Sequence, residues 1–324
     1  MYYPLIAAVV FLLSSLPVWS KVLGIVLGPL LIIPFIIFSS HAAKTMTGTA
    51  QFPPILGGWQ WGNNALYMRE YIHPDTTHFP SPETAELDQI ARDFYRNTPP
   101  QDRALSSYVA NFFIRQPNAP LKQYMGRHYQ PKTQEENIAD WGKVAPIFGQ
   151  YGLYLIKQYP WAYFRYYMLV NSVNYILPPL EKLEVYNLGQ DEIWPIAQYW
   201  FHYPSPKVIC ISKTLQGTLL YVFTIIFMIL NIYGLITFCL FVRRSGFRKS
   251  ERYFKYTILI VWLFLLLNAA FSIFANIIVI RYEVFPMIVF LVFTMLLMDW
   301  LEAARQGRKL MIKGAGSLPN ALAG

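Results

Sequence analysis

The sequence predicts an all-α polytopic membrane protein with about five transmembrane helices. A mostly helical extracytoplasmic domain is predicted between the second and third of them. Three observations lead there. The 324 residues are 55% hydrophobic and only 14% charged, against about 25% charged in soluble domains. Five apolar runs punctuate the chain, and a bilayer-spanning helix needs roughly 20 such residues. Two blocks rich in Lys and Arg, residues 243–256 and 305–313, each directly follow an apolar run. Short loops of that composition stay on the cytoplasmic face.

Residues 1–43 form an N-terminal transmembrane hairpin in this reading. Its runs are Pro4 to Trp19 and Val22 to Ser40, parted by Ser20 and Lys21. The first run is short enough to be tilted, partly re-entrant or cut at its start. No basic region precedes it, as a secretory signal peptide would require, so Met1 to Pro4 reads like the middle of a longer polytopic protein. Residues 214–304 make a three-helix transmembrane region from the runs Leu215 to Val242, Thr257 to Ile280 and Phe285 to Leu301. Parity fixes the sides. The third run ends inside at Arg243, the fourth exits, Arg281 to Glu283 sit at the outer surface, and the fifth returns inside. Residues 305–324 are a basic cytoplasmic tail with Arg305, Arg308, Lys309 and Lys313, and its Gly-rich end is expected to be disordered.

The segment 44–213 carries 14 of the 18 acidic and 15 of the 27 basic residues, so it is nearly neutral. The net charge of +9 comes mostly from the two basic blocks, which flank membrane helices. Anionic lipid head groups account for such blocks more simply than nucleic acid does. The two cysteines, Cys210 and Cys239, are expected to stay unpaired. Within the outer segment, the Gly/Trp/Pro-rich stretch 51–64 is expected to break regular structure. A helix is predicted from Pro82, capped by Ser81, with Ala85, Leu87, Ile90, Ala91 and Phe94 on its apolar face. Residues 108–117 echo residues 151–160, and each reads as helix, proline break, helix. An aromatic helix over 166–177, ended by Pro178-Pro179, has the character of one lying on a membrane surface.

The chain has no P-loop, no Gly-x-Ser-x-Gly and no paired-cysteine motif. His73 and His78 lack a helical spacing for one metal, and Glu135-Glu136 reads as an exposed helix start. Asp299 reads as interfacial. Arg281-Tyr282-Glu283 followed by Pro286 is the sharpest signal, a tight outer turn at the depth of phosphate head groups. A guanidinium binds phosphate bidentately, so Arg281 is a candidate for holding the phosphate of a lipid-linked substrate, oriented by Tyr282 or Glu283. The alternative is that Arg281 snorkels and pairs with Glu283. Trp59, Trp61, Asn63 and Asn64 form a second cluster, because flat aromatic faces with amides suit a sugar. A membrane-interface aromatic belt is the alternative there.

In order, these features resemble the C-terminal half of a GT-C-fold membrane glycosyltransferase of the bacterial protein-mannosyltransferase-like and aminoarabinose-transferase-like kind. The pieces that carry the resemblance are Thr47 to Ala50 with Gly57-Gly58 and Gly62 to Asn64, then Ile114-Arg115-Gln116-Pro117 and Ile156 to Pro160. Pro178-Pro179 and Arg281-Tyr282 with Pro286 complete them. The resemblance spans about residues 22–301. It implies a polyprenyl-phosphate sugar as ligand at the outer leaflet of a bacterial inner membrane. It also marks a departure. The family's catalytic aspartate lies in a first outer loop, and no acidic residue here precedes Glu70. The expectation is therefore a glycosyltransferase-like module that binds lipid-linked sugar and does not catalyse alone. A partner protein would carry the catalytic half, and no cofactor is expected unless that half brings a divalent metal. The second expectation is a non-enzymatic membrane subunit whose outer domain docks a partner protein.

Overall fold

Two apolar cores organise the chain, one in the inserted segment and one among the long apolar helices. The structure, a computed structural model, describes residues 3–53, 56–75, 78–103, 111–130, 134–275 and 278–306. Every regular element among them is helical apart from one isolated antiparallel bridge, Glu192 to Lys207.

Helix α1 (Tyr3–Leu13) turns into α2 (Val18–Thr47). At 1.5 Å per residue, 11 residues reach about 16 Å, well short of a bilayer. Among the described residues, four helices rather than five are long and apolar enough to cross: α2 and the later α11, α13 and α14. The predicted boundary falls at residue 43. Helix α2 runs through it without a break, and Ala43 and Thr47 are already buried in the inserted segment.

That segment contains α3 (Leu56–Arg69), α4 (Pro82–Asn97), α5 (Phe112–Arg115), α6 (Pro120–His128) and α7 (Gln134–Gln158). Helix α3 occupies most of the stretch expected to be irregular. Its glycines cost helix propensity, but Gly58 and Gly62 line the face turned to α7 and let the two backbones approach. A Cβ on Gly58 would overlap the carbonyl of Ala145, and one on Gly152 would overlap that of Trp61. Tertiary contact overrides propensity here. Helix α4 begins as predicted. The Ser81 hydroxyl accepts from the Thr84 amide at 3.3 Å, and the Ser81 amide donates to Thr84 Oγ1 at 3.0 Å, a capping box with Thr in the third position. Leu87, Ile90, Ala91 and Phe94 are buried.

A buried ion pair locks α3, α4 and α7 together. Arg69 donates to both carboxylate oxygens of Asp88, at 2.6 and 2.9 Å. The Tyr151 hydroxyl donates to Asp88 at 3.1 Å, and Arg69 also donates to the Ile72 carbonyl at 2.9 Å. The first unit of the sequence echo is described only from Asn111 onward. Helix α5 is a single turn whereas α7 has 25 residues, and Tyr108 with its neighbours 104–110 lies outside the described residues.

Helix α8 (Pro160–Tyr163) continues through a π-turn, Phe164–Met168, into α9 (Leu169–Ile176). A long excursion with α10 (Pro195–Phe201) leads to α11 (Leu215–Arg243). The short α12 (Gly246–Lys249) joins it to α13 (Arg252–Ala275), and α14 (Ile280–Arg305) follows. Helices α11, α13 and α14 share the second core, built on Phe241, Ile258, Phe290, Phe293, Leu297 and Trp300. Both cysteines are free and exposed.

The two cores meet at the C-terminal end of α13. The last carbonyls of a helix have no partner within it. Here Asn171 Nδ2 donates to the Ile273 carbonyl at 3.3 Å, the Tyr163 hydroxyl to that of Phe274, and Asn64 Nδ2 to that of Ala275 at 3.4 Å.

Two stability outcomes follow. Gly58→Ala forces a Cβ against backbone and should cost roughly 1–3 kcal/mol or more. Gly126→Ala, where nothing stands within 4 Å, should instead stabilise α6 by up to about 1 kcal/mol. Thermal unfolding of both variants checks the opposite signs. Asp88→Asn leaves Arg69 buried without its counter-ion and should cost about 3–5 kcal/mol, whereas the double change Arg69→Met with Asp88→Leu should recover most of that loss.

Candidate functional site

Arg281 lies in the first turn of α14, because the helix starts at Ile280 and carries Pro286 within it. The turn expected at 281–286 is therefore helical, and the reversal of the chain falls before Ile280. Its start is pinned by the loop after α9. The Ile280 amide donates to the Pro179 carbonyl at 3.0 Å, and Thr224 Oγ1 in α11 donates to that of Pro178 at 3.0 Å.

This loop delivers Glu181, the residue that sequence reasoning missed. The side chain of Glu181 is 6% exposed and forms ion pairs with both Arg281, at 2.8 Å, and Arg115. The contact with Arg281 is close but not aligned as a hydrogen bond. The Glu181 backbone is left-handed, with φ 53°, a conformation that costs a non-glycine residue about 1–3 kcal/mol and that is held here by the loop's anchors. Two guanidinium groups share one carboxylate, so the cluster keeps one unmatched positive charge. Both arginine side chains remain about a third exposed. No local pattern announces Glu181. Only folding brings Arg115, Glu181 and Arg281 together.

The other residues of that motif diverge. Tyr282 is half exposed, and its ring lies 4.9 Å from the Arg281 guanidinium carbon, close enough for a cation–π contact. Glu283 is 1% exposed and is not the partner of Arg281; its Oε2 has no hydrogen-bond partner among the described residues. Along the same face of α14, Met287 and Phe290 line a cavity of about 260 Å³ together with Tyr175, Ile176, Asn231, Trp262 and Leu265. They lie about 9 and 14 Å along the helix from Arg281, at 1.5 Å per residue. The walls are almost wholly apolar and come from α9, α11, α13 and α14.

Helix α9 borders this cavity with its polarity inverted. Asn171 and Asn174 are buried, whereas Leu169, Val170, Val173 and Ile176 are exposed. The helix expected over 166–177 is thus a π-turn through Met168 followed by α9, with apolar side chains outward and amides inward.

The Trp59 to Asn64 cluster takes a different role from the one expected. Trp59 is wholly buried, stacks on Trp141 at 4.2 Å and donates its indole N–H to the Trp141 carbonyl at 2.9 Å. Trp61 packs edge-on against Phe274. Asn63 and Asn64 are buried, and Asn64 caps α13 as described. The physical reason is the glycine-lined α3–α7 contact, which encloses Trp59, while Trp61 stays partly open. The aromatic face that remains is covered by Lys122, whose ammonium stands 3.6 Å from the Trp141 ring centre and 5.0 Å from that of Trp59. Elsewhere, His78 pairs with Asp75 at 2.9 Å in an exposed loop, and Asp299 is exposed near the far end of α14. The side chain of Glu135, and Arg308, Lys309 and Lys313 of the tail, lie outside the described residues.

No family model matches this chain, no curated protein matches it, and no solved structure matches it.

Burial holds the Lys122 ammonium down, to about 8, and the two ring faces offset part of that cost. An unfolded lysine titrates near 10.4. Between about pH 8 and 10.4 the unfolded chain thus holds a proton that the folded chain has lost, and stability rises with pH across that window. Lys122→Met should be more stable than the parent at pH 7, and the gap should close by about pH 10.4. Denaturation midpoints of both proteins measured from pH 7 to 10.5 check this.

Proposed function

We propose that this chain is an integral membrane module that binds a polyprenyl-phosphate-linked sugar at the outer leaflet. The observation that carries the reading is the Arg115–Glu181–Arg281 cluster. Its unmatched positive charge suits a phosphate, and guanidinium forks match phosphate oxygens geometrically. The apolar cavity beginning one to two turns further along α14 suits a stretch of the isoprenoid chain. Orientation rests on Arg243, Arg244, Arg248, Lys249 and Arg252 at the opposite ends of α11 and α13, which set that end cytoplasmic. The inserted segment is then extracytoplasmic, in the inner membrane of a bacterium by the family resemblance.

The role is binding rather than catalysis by this chain alone. General-base work on an acceptor needs a carboxylate within reach of the reacting group. Glu181 is neutralised between two arginines, and Glu283 is enclosed by packed helices. A partner protein supplying the catalytic carboxylate fits this reading.

The test is binding of polyprenyl phosphate to purified, reconstituted protein. Arg281→Ala and Arg115→Ala should each weaken it about 10–100-fold, the value of a charge-assisted hydrogen bond. Glu181→Gln frees both guanidinium groups and should tighten it. Binding of the same polyprenol without its phosphate should not respond to these changes. Undiminished binding in both arginine variants would sink the assignment.

A further inference from the structure

The excursion between α9 and α11 does not pack into either core. Its base is polar and well connected. The Ile193 amide donates to the Pro206 carbonyl and the Val208 amide to that of Asp191, both at 2.8 Å. Lys213 Nζ binds Asp191 at 2.6 Å and the Gly189 carbonyl at 2.9 Å, and the Tyr186 amide donates to the Lys213 carbonyl at 2.8 Å. The base therefore holds a defined hairpin-like stem, closed at its far end by α10.

The tip is the opposite in chemistry. Residues 193–206 contain no Asp, Glu, Lys or Arg; the charges Asp191, Glu192, Lys207 and Lys213 all sit on the stem. Trp194 is 73% exposed, Tyr199 74%, Trp200 70% and Phe201 69%, and on the returning strand Ile209 is 93% and Ile211 99% exposed. An ordered stem that presents this many large apolar side chains to water is not a stable soluble surface.

We infer that this flap is a membrane anchor whose aromatic tip sits in the bilayer leaflet on the side of the inserted segment. Three observations select lipid as the occupant. The flap is continuous with a lipid-facing surface: it returns directly into α11, whose first turns expose Leu215, Leu219, Tyr221, Val222 and Phe223. Its composition is the Trp/Tyr-rich, charge-free one that settles at the boundary between head groups and acyl chains. The outward apolar face of α9 marks a second apolar surface beside α11, whose Asn231, midway along that helix, donates to the Ile176 carbonyl at 3.5 Å. The anchor would brace the loop that carries Glu181, because the stem and that loop both dock on α11; Gln216 Nε2 donates to the Leu183 carbonyl at 3.2 Å. The inference rests on α11 spanning the bilayer and does not depend on the ligand proposed above.

The chain's own cysteines make the test direct. Cys210 lies between Ile209 and Ile211, and Cys239 lies within α11; both are exposed. A nitroxide is placed on Cys210 in a Cys239→Ala background, on Cys239 in a Cys210→Ala background, and on Gln89→Cys, at an exposed position of α4, with both native cysteines replaced. Each protein is reconstituted into vesicles of phosphatidylcholine and phosphatidylglycerol. Collision rates with oxygen, which concentrates in the bilayer, are compared with those of a water-soluble nickel chelate. Cys210 should favour oxygen over nickel several-fold more than position 89 does. Replacing Trp194, Tyr199, Trp200 and Phe201 with Ser should return Cys210 to nickel while leaving the helical circular dichroism unchanged. Nickel access at Cys210 equal to that at position 89, with Cys239 still favouring oxygen, overturns the anchor alone. Exclusion of both reagents from Cys210 also overturns it, because protein then covers the flap. Nickel access at Cys239 removes the membrane-spanning premise itself.

Discussion

Three backbone carbonyls at the end of α13 hold the two halves of this molecule in register. A helix end buried without partners is costly. This one is covered by Asn64 from α3, Tyr163 from α8 and Asn171 from α9. The donors come from three separate helices, so the inserted segment can sit on the apolar bundle in only one way if all three bonds form. Everything at the candidate site inherits that placement. The loop after α9 lies beside α14 because α9 is fixed on α13, and Glu181 reaches Arg281 because that loop is pinned at Pro178 and Pro179.

The inserted segment can supply these donors because it is rigid. Helices α3 and α7 touch backbone to backbone through glycines, and the Arg69–Asp88–Tyr151 network ties α4 to both. A buried ion pair adds little net stability over an apolar substitute, yet it strongly penalises any arrangement that separates its members. Close packing sets the distance between the helices, and the ion pair sets their register.

The cluster of two arginines and one carboxylate is a different kind of charge site. The Arg69–Asp88 pair is enclosed, while Arg115 and Arg281 keep part of their surface open. Their pairing with Glu181 prevents mutual repulsion without saturating either guanidinium. The fold itself therefore holds both guanidinium groups in place. The apolar cavity lies further along α14, on the face that Glu283, Met287 and Phe290 share.

Much of the architecture was legible in the sequence because it is written in local periodicity. The apolar runs gave α2, α11, α13 and α14, and Ser81 with the apolar spacing from Leu87 to Phe94 gave α4. What failed were inferences about partners across space. Trp59 looks like a ligand platform until α7 covers it, and the glycines of residues 57–62 look like breakers until a second backbone needs the space they leave. The first apolar run is divided, because the chain turns after Leu13 and its last residues, Val18 and Trp19, open α2. Arg281 was readable as a cation just before a late apolar run, but its partners were not. Arg115 and Glu181 are far from it in the chain, and only the tertiary structure makes them neighbours. The sequence by itself determined which segments are apolar enough to meet lipid and where the charges lie along the chain. The tertiary structure decided which charges meet, because pairing depends on packing between distant helices and leaves no periodic trace.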